Sequence, residues 1–218
     1  LVANGNPFPS TKERIIGLDL EQYPLPTIDT IELLAGADES RRTEHVITPA
    51  SFVNIAPDAG LDHTFFVAST PTRWSFSIHQ MLGGGVAVLD YELDGNPDLY
   101  FAQGASDPPR LTSERSNQLM RQVDANFLEI TDFAGVAEFA HTIGVAAGDW
   151  NQDGFPDLVL RNLPDEVLLI NQGDGTFRRL QIADRSQSNR IPSSAAIADL
   201  TGDGLPDIFQ ADYVDDPR

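Results

Sequence analysis

The chain has 218 residues, 33 acidic against 14 basic side chains, a formal charge of −19, 41% hydrophobic residues and no cysteine. So negative a balance repels a phosphate backbone, which argues against nucleic acid, and the lack of Lys/Arg clusters argues against an anionic membrane surface; cations are invited instead. Without cysteine there is no disulfide scaffold, zinc–thiolate site or thiol catalysis, and no apolar run reaches the roughly 18 residues of a membrane span.

Residues 1–50 carry no repeat, and Pro7, Pro9, Pro24, Pro26 and Pro49 break any long element. Ile28, Ile31 and Leu34 before Gly36 allow one short amphipathic helix. The stretch reads as an N-terminal extension or linker. Beginning at Leu1, with no charged-then-apolar leader, the chain is expected to be processed or to be a piece of something longer.

From residue 51 to 218 the sequence repeats, in units around 83–135, 142–183 and 192–218. Ahead of them, Phe52-Val53-Asn54-Ile55 followed by Ala59-Gly60-Leu61 echoes Phe127-Leu128-Glu129-Ile130 followed by Ala134-Gly135-Val136, which predicts a terminal strand. Each unit opens with an apolar strand rich in small residues: Gly85-Val86-Ala87-Val88-Leu89, Gly144-Val145-Ala146-Ala147-Gly148 and Ser194-Ala195-Ala196-Ile197-Ala198. An acidic loop and a second β-prone run follow, at Asp98–Phe101, Asp157–Leu160 and Asp207–Gln210. Leu119-Met120 to Phe127 parallels Leu169-Ile170 to Phe177, with a tight hairpin turn at Gly173-Asp174-Gly175. Residues 104–118 and 184–193 read as exposed loops. Four short strands per unit suit propeller blades, whose innermost strand is covered on both faces and needs small side chains. The predicted fold is therefore all-β, a partial β-propeller of four-stranded blades. A strand, two full units and half a unit cannot close a ring, so the natural protein is expected to continue past Arg218 and the open edges to need cover.

The three loops are Asp90 to Asp98, Asp149 to Asp157 and Asp199 to Asp207. They share oxygen side chains at positions 1, 3, 5 and 9, namely Asp90, Glu92, Asp94 and Asp98; Asp149, Asn151, Asp153 and Asp157; Asp199, Thr201, Asp203 and Asp207. Glycine at position 6 permits the bend that brings the position-7 carbonyl, of Asn96, Phe155 or Leu205, to the same point. Oxygen-only ligation of this kind suits Ca²⁺ better than Mg²⁺ or zinc. It is not an EF-hand: position 12 holds Phe101, Leu160 and Gln210 instead of a bidentate glutamate. The alternative is an Asx-rich turn whose carboxylates cap backbone amides and bind no ion.

Repeated apolar strand, D-x-D-x-D-G-x-P-D-type loop and apolar strand resemble FG-GAP repeats, also called VCBS-like repeats, as in the integrin α propeller. Gly83-Gly84-Gly85-Val86-Ala87-Val88-Leu89-Asp90-Tyr91, Asn171-Gln172-Gly173-Asp174-Gly175-Thr176-Phe177 and Ala211-Asp212-Tyr213-Val214-Asp215 are similar to the phrasing of ASPIC/UnbV-type bacterial proteins and animal cartilage acidic proteins. The resemblance implies a seven-bladed or similar propeller, usually exported, with up to three Ca²⁺ bound by the position-1, 3, 5 and 9 side chains of the three loops. Thr201 is a neutral donor, which makes the third site least secure, and Glu92 stands where Asp is usual.

Other residues carry less. His79 and His141 precede first strands and read as loop histidines, His45 and His63 have no partner at a recognisable spacing, and Gly83-Gly84-Gly85 reads as close strand packing and not a phosphate loop. Tyr91 and Trp150, at position 2 of their loops, read as wedges between blades. No catalytic residues are singled out. The expected role is a calcium-stabilised interaction module of an exported, periplasmic or cell-surface protein, with a protein or glycan partner and open blade edges as a route to a homo-oligomer. The competing expectation is the propeller portion of a carbohydrate-active or other secreted enzyme.

Overall fold

The computed structural model describes residues 52–66, 83–106, 112–163, 165–184 and 190–215. Two units divide the chain, 1–52 and 53–218. Of the first unit only Phe52 is described, so the extension, its short helix and His45 lie outside the described residues, as does His79.

The described part is antiparallel β-sheet with one turn of helix. β1 (Val86–Leu89), β2 (Asp98–Phe101), β3 (Gln118–Val123) and β4 (Asn126–Glu129) form a four-stranded meander. The helical turn α1 (Thr131–Ala134) follows and ends at Gly135, whose φ of 69° is the left-handed conformation glycine adopts without strain. β5 (His141–Gly148), β6 (Asp157–Leu163), β7 (Asp165–Asn171) and β8 (Phe177–Asp184) form a second meander, and β9 (Arg190–Ala198) pairs with β10 (Asp207–Asp215) in a third sheet. In each sheet an acidic loop joins the first strand to the second. The β7–β8 hairpin closes at the expected glycines, with Asn171 opposite Phe177.

The sheets stack through their first strands, and small residues set the approach. A Cβ added at Gly144 would sit 2.3 Å from the carbonyl oxygen of Ser193 in β9, one at Gly148 2.9 Å from Ile197 Cβ, and one at Gly85 3.1 Å from the backbone nitrogen of Val145. One apolar cluster fills the space between the first and second sheets, with Leu89, Tyr100 and Leu119 against Leu158, Leu160 and Val167. A smaller one joins the second sheet to the third, with Val159, Leu168 and Ile170 against Ala195, Ile197 and Ile208. β6 and β7, lying between both clusters, are buried on both faces and read as apolar runs.

Several expectations are corrected. Cover on both faces of the first strand does not extend to β1, where Ala87 and Leu89 are buried while Val86 and Val88 are 52% and 61% exposed. β1 is the first strand of a sheet that packs against the second sheet on one side, so the side chains on the other face of β1, Val86 and Val88, reach solvent. No strand forms at Phe52–Ile55, whose apolar side chains are exposed. Asn54 Oδ1 accepts the Ala56 N–H, and the chain turns at once. The echo survives in that turn: Ala59 N–H to Ile55 C=O matches Ala134 N–H to Ile130 C=O, both 2.9 Å. The repeat thus carries its turn wherever it occurs, but a strand needs a partner. The stretch 104–118 is not simply exposed either: Gly104, Ala105 and Asn117 are buried. Asn117 Oδ1 accepts the Gln103 N–H at 2.7 Å, and its amide donates to Tyr100 Oη and Thr142 Oγ1. Residues 190–193 extend β9 instead of a loop.

Candidate functional site

Each acidic loop repeats one hydrogen-bonding scheme, and its first and last aspartates do different work. At position 9 the carboxylate is a latch. Asp98 Oδ2 accepts the Tyr91 N–H at 3.1 Å and its Oδ1 the Gln122 N–H at 2.8 Å. Asp157 does the same with Trp150 at 3.0 Å and Asn171 at 2.8 Å. Each therefore ties the loop's entry to the strand beyond the next connection, and both side chains are buried. Asp207 accepts from Leu200 and Thr201.

At position 1 the carboxylate folds the turn. Asp90 accepts the Asp94 and Gly95 N–H groups, Asp149 those of Asp153 and Gly154, and Asp199 those of Gly202, Asp203 and Gly204. The position-6 glycines take φ of 87°, 95° and 85°, as the sequence requires. At position 5, Asp94, Asp153 and Asp203 each accept the N–H two residues on, from Asn96, Phe155 and Leu205.

Position 3 distinguishes the loops. Asn151 accepts the Asp153 N–H and donates to Asp153 Oδ2 at 2.8 Å, whereas Thr201 lies beside the Asp207 latch. Glu92 pairs with Arg121 of β3, whose guanidinium also lies 3.6 Å from Asp94 Oδ2. Sequence reasoning missed Arg121 because it lies far along the chain; the signal available was Glu92 itself, a longer side chain than the Asn and Thr at the same position elsewhere.

Among the described residues no three His, Cys, Asp or Glu side chains converge in an arrangement that would hold a metal ion. The donor chemistry nevertheless fits a hard cation. Positions 1, 5 and 9 are carboxylates in all three loops, and a carboxylate oxygen that accepts one N–H keeps a second lone pair. In the arrangement described, however, the position-1, position-5 and position-9 carboxylates are engaged with backbone amides, so an ion would have to share their oxygens with those N–H groups.

The carboxyls separate electrostatically. Burial pushes Asp98 and Asp157 above the usual carboxylate range, against the pull of the N–H groups they accept. The N–H groups of Leu200 and Thr201 hold Asp207 below it, and that of Asn96 does the same for Asp94. On acidification in chelator, Asp98 and Asp157 are therefore expected to protonate before Asp94 and Asp207. Stability from Asp94 and Asp207 is present above the unfolded carboxylate pKa and lost as pH falls through the folded one. The cost of burying Asp98 and Asp157 as anions instead appears as pH rises through the carboxylate range. Carboxyl-carbon NMR titration checks this order, and a reversed order would contradict it.

The loops meet their neighbours. Tyr91 is buried and stacks on Phe177 with ring centroids 6.4 Å apart, which places it between the first two sheets. Trp150 packs on the cluster between the second and third. Both are wedges, as expected. Gln152 Nε2 donates to the Gly204 carbonyl at 2.8 Å and joins the second loop to the third.

At the other ends of the strands lies a different polar region. His141 opens β5 fully buried, its Nδ1 accepting the Ala105 N–H at 2.9 Å, so it is a structural strand histidine and not a loop residue. His63 does have partners, stacking on Phe101 at 4.6 Å with Nδ1 2.6 Å from Gln118 Oε1. Nearby, a cleft of about 630 Å³ is lined by Asp62, Glu114, Arg115, Glu129, Asp132 and Phe139 among others. Arg161, buried in β6, pairs with Glu166 and with Asp212 of β10, fastening the third sheet to the second.

No curated protein matches the chain. Residues 90–160, running from the first residue of the first acidic loop through the second loop and into β6, match the family model of the FG-GAP-like repeat, so this segment is similar to that repeat family.

Proposed function

We propose that the chain is a calcium-stabilised interaction module, a propeller segment of an exported, periplasmic or cell-surface protein that binds another macromolecule, protein or glycan. The observation that carries the reading is the threefold recurrence of first strand, acidic loop and second strand in sheets stacked through their first strands, with the same three aspartates engaged in each loop. Strands of this kind would be the inner strands of blades, and the finer likeness remains to ASPIC/UnbV-type and cartilage acidic proteins.

Asp149, Asn151, Asp153 and Asp157, and Asp199, Thr201, Asp203 and Asp207, would hold ions, with the carbonyls of Phe155 and Leu205; Asp90, Glu92, Asp94 and Asp98, with the carbonyl of Asn96, are the corresponding donors of the first loop, where Arg121 already faces Glu92 and Asp94. Bound calcium would neutralise the clustered carboxylates and brace the loops that carry Tyr91 and Trp150 between sheets; it would catalyse nothing. Calorimetric titration of chelator-stripped protein tests this. At least two calcium sites per chain are expected, with magnesium failing to compete at equal concentration. Absence of binding heat, or equal affinity for the two ions, would overturn the calcium part. A negative surface and the absence, among the described residues, of a helix able to cross a membrane agree with a role that needs neither nucleic acid nor a helical span.

The enzyme reading has one specific support, a cleft away from the acidic loops whose lining includes Asp62, Glu114, Glu129 and Asp132. Hydrolysis of a glycan panel, abolished by Glu129→Gln, would favour it over simple binding.

A further inference from the structure

We infer that Arg121 is the built-in cation of the first acidic loop, and that this loop takes no metal ion while the second and third remain the metal candidates. The contrast with the other two loops rests on the calcium reading above; the statement about the first loop does not.

Position 3 is where the three loops diverge in residue, and position 5 differs only in the cation beside it. In the first, Glu92 Oε1 faces the Arg121 guanidinium and Asp94 Oδ2 lies 3.6 Å from it. Two of the side chains an ion would need as ligands thus already face a cation supplied by the chain. Among the described residues no ion pair reaches Asp149, Asp153, Asp199 or Asp203.

The register explains why the second loop lacks such a cation. Met120 pairs with Leu99 and Leu169 with Leu158, so the counterpart of Arg121 in the second sheet is Ile170, buried in the cluster against Trp150. Net charge does not separate the loops. Glu92 adds a negative charge that Asn151 and Thr201 lack, and Arg121 cancels it. What differs is what the position-3 and position-5 oxygens already contact. A guanidinium is planar and always charged, and it releases its partners only if a competing ion repays both contacts. Glu92, anomalous for a calcium loop, is explained by the same pairing: its longer side chain reaches β3, where Asn or Thr would not.

Wild type, Arg121→Gln and Arg121→Lys are compared as full chains after chelator treatment. Arg121→Gln is expected to bind one more Ca²⁺ per chain than wild type and to show a larger calcium-dependent rise in Tm. Arg121→Lys, which keeps the charge, should retain the wild-type count, and Arg121→Gln/Asp94→Asn should lose the added site. Equal counts in wild type and folded Arg121→Gln would overturn the inference. Should Arg121→Gln not fold, wild-type amide NMR decides: the Gly95 signal stays unmoved as calcium is added, and movement of Gly95 would overturn the inference. Unmoved Gly154 and Gly204 signals would instead count against calcium in the other two loops.

Discussion

Gly144→Val is expected to lower folding stability by about 3 kcal/mol, which for a unit of this size is a fall in Tm of roughly 6–12 °C. A β-carbon at this position would lie 2.3 Å from the Ser193 carbonyl oxygen, well inside van der Waals contact, and the obstacle is backbone that cannot rotate away. The substitution must drive β5 from β9, opening the interface closed by Ile197 and Ile208. Gly83→Ala is the control, since a Cβ there meets nothing within 4 Å and should change stability by no more than about 0.5 kcal/mol. Thermal melts of the two variants in chelator check the pair, and equal effects would mean that close approach of first strands does not organise the stack.

Asp157→Ala is expected to cost about 3 kcal/mol even without calcium. Both carboxylate oxygens accept backbone N–H groups, of Trp150 and Asn171, and removal leaves two donors without their acceptor at a buried position, each costing roughly 1–3 kcal/mol. Asp153→Ala removes two exposed contacts, from the Phe155 N–H and the Asn151 amide, and should cost about 1 kcal/mol in chelator. Denaturant unfolding in chelator separates a latch from a ligand. If Asp153→Ala were as damaging as Asp157→Ala without metal, position 9 would have no special structural part.

This division of labour marks how far the sequence could be read. The loops, their glycine bends and the strands on either side were legible because Asp, Gly and Pro at fixed spacing dictate local conformation, and Gly144 and Gly148 stand where a side chain would collide with the next sheet. The hairpin at Gly173-Asp174-Gly175 was legible for the same reason. What depends on a partner was not. Phe52–Ile55 has the composition of β4 but no neighbour to pair with among the described residues. Aligning the units on Phe127 and Phe177 sets Leu119-Met120 beside Leu169-Ile170, yet the structure matches Met120 to Leu169. The β3–β4 turn is one residue shorter, with Val123 opposite Asn126 and Asp124 at φ 56°. A one-residue slip exchanges the faces of a strand. That slip would place Arg121 opposite the wrong counterpart and hide its link to Glu92. The buried network of Gln103, Asn117, Thr142 and Asn162 joins residues from both sheets and leaves no local trace in the sequence.

The central claim is that the acidic loops are cation sites and not self-sufficient turns. Its most direct test is the melting of the chelator-stripped full chain in excess Ca²⁺, excess Mg²⁺ and chelator, alongside a variant carrying Asp149→Asn and Asp199→Asn. With calcium at about 100 times Kd, each filled site adds roughly 2.7 kcal/mol, so two sites are expected to raise the wild-type Tm by roughly 10 °C or more. Magnesium should do little, and the variant should lose most of the rise. Identical wild-type melts in all three conditions would contradict the claim and leave the loops as turns that satisfy themselves.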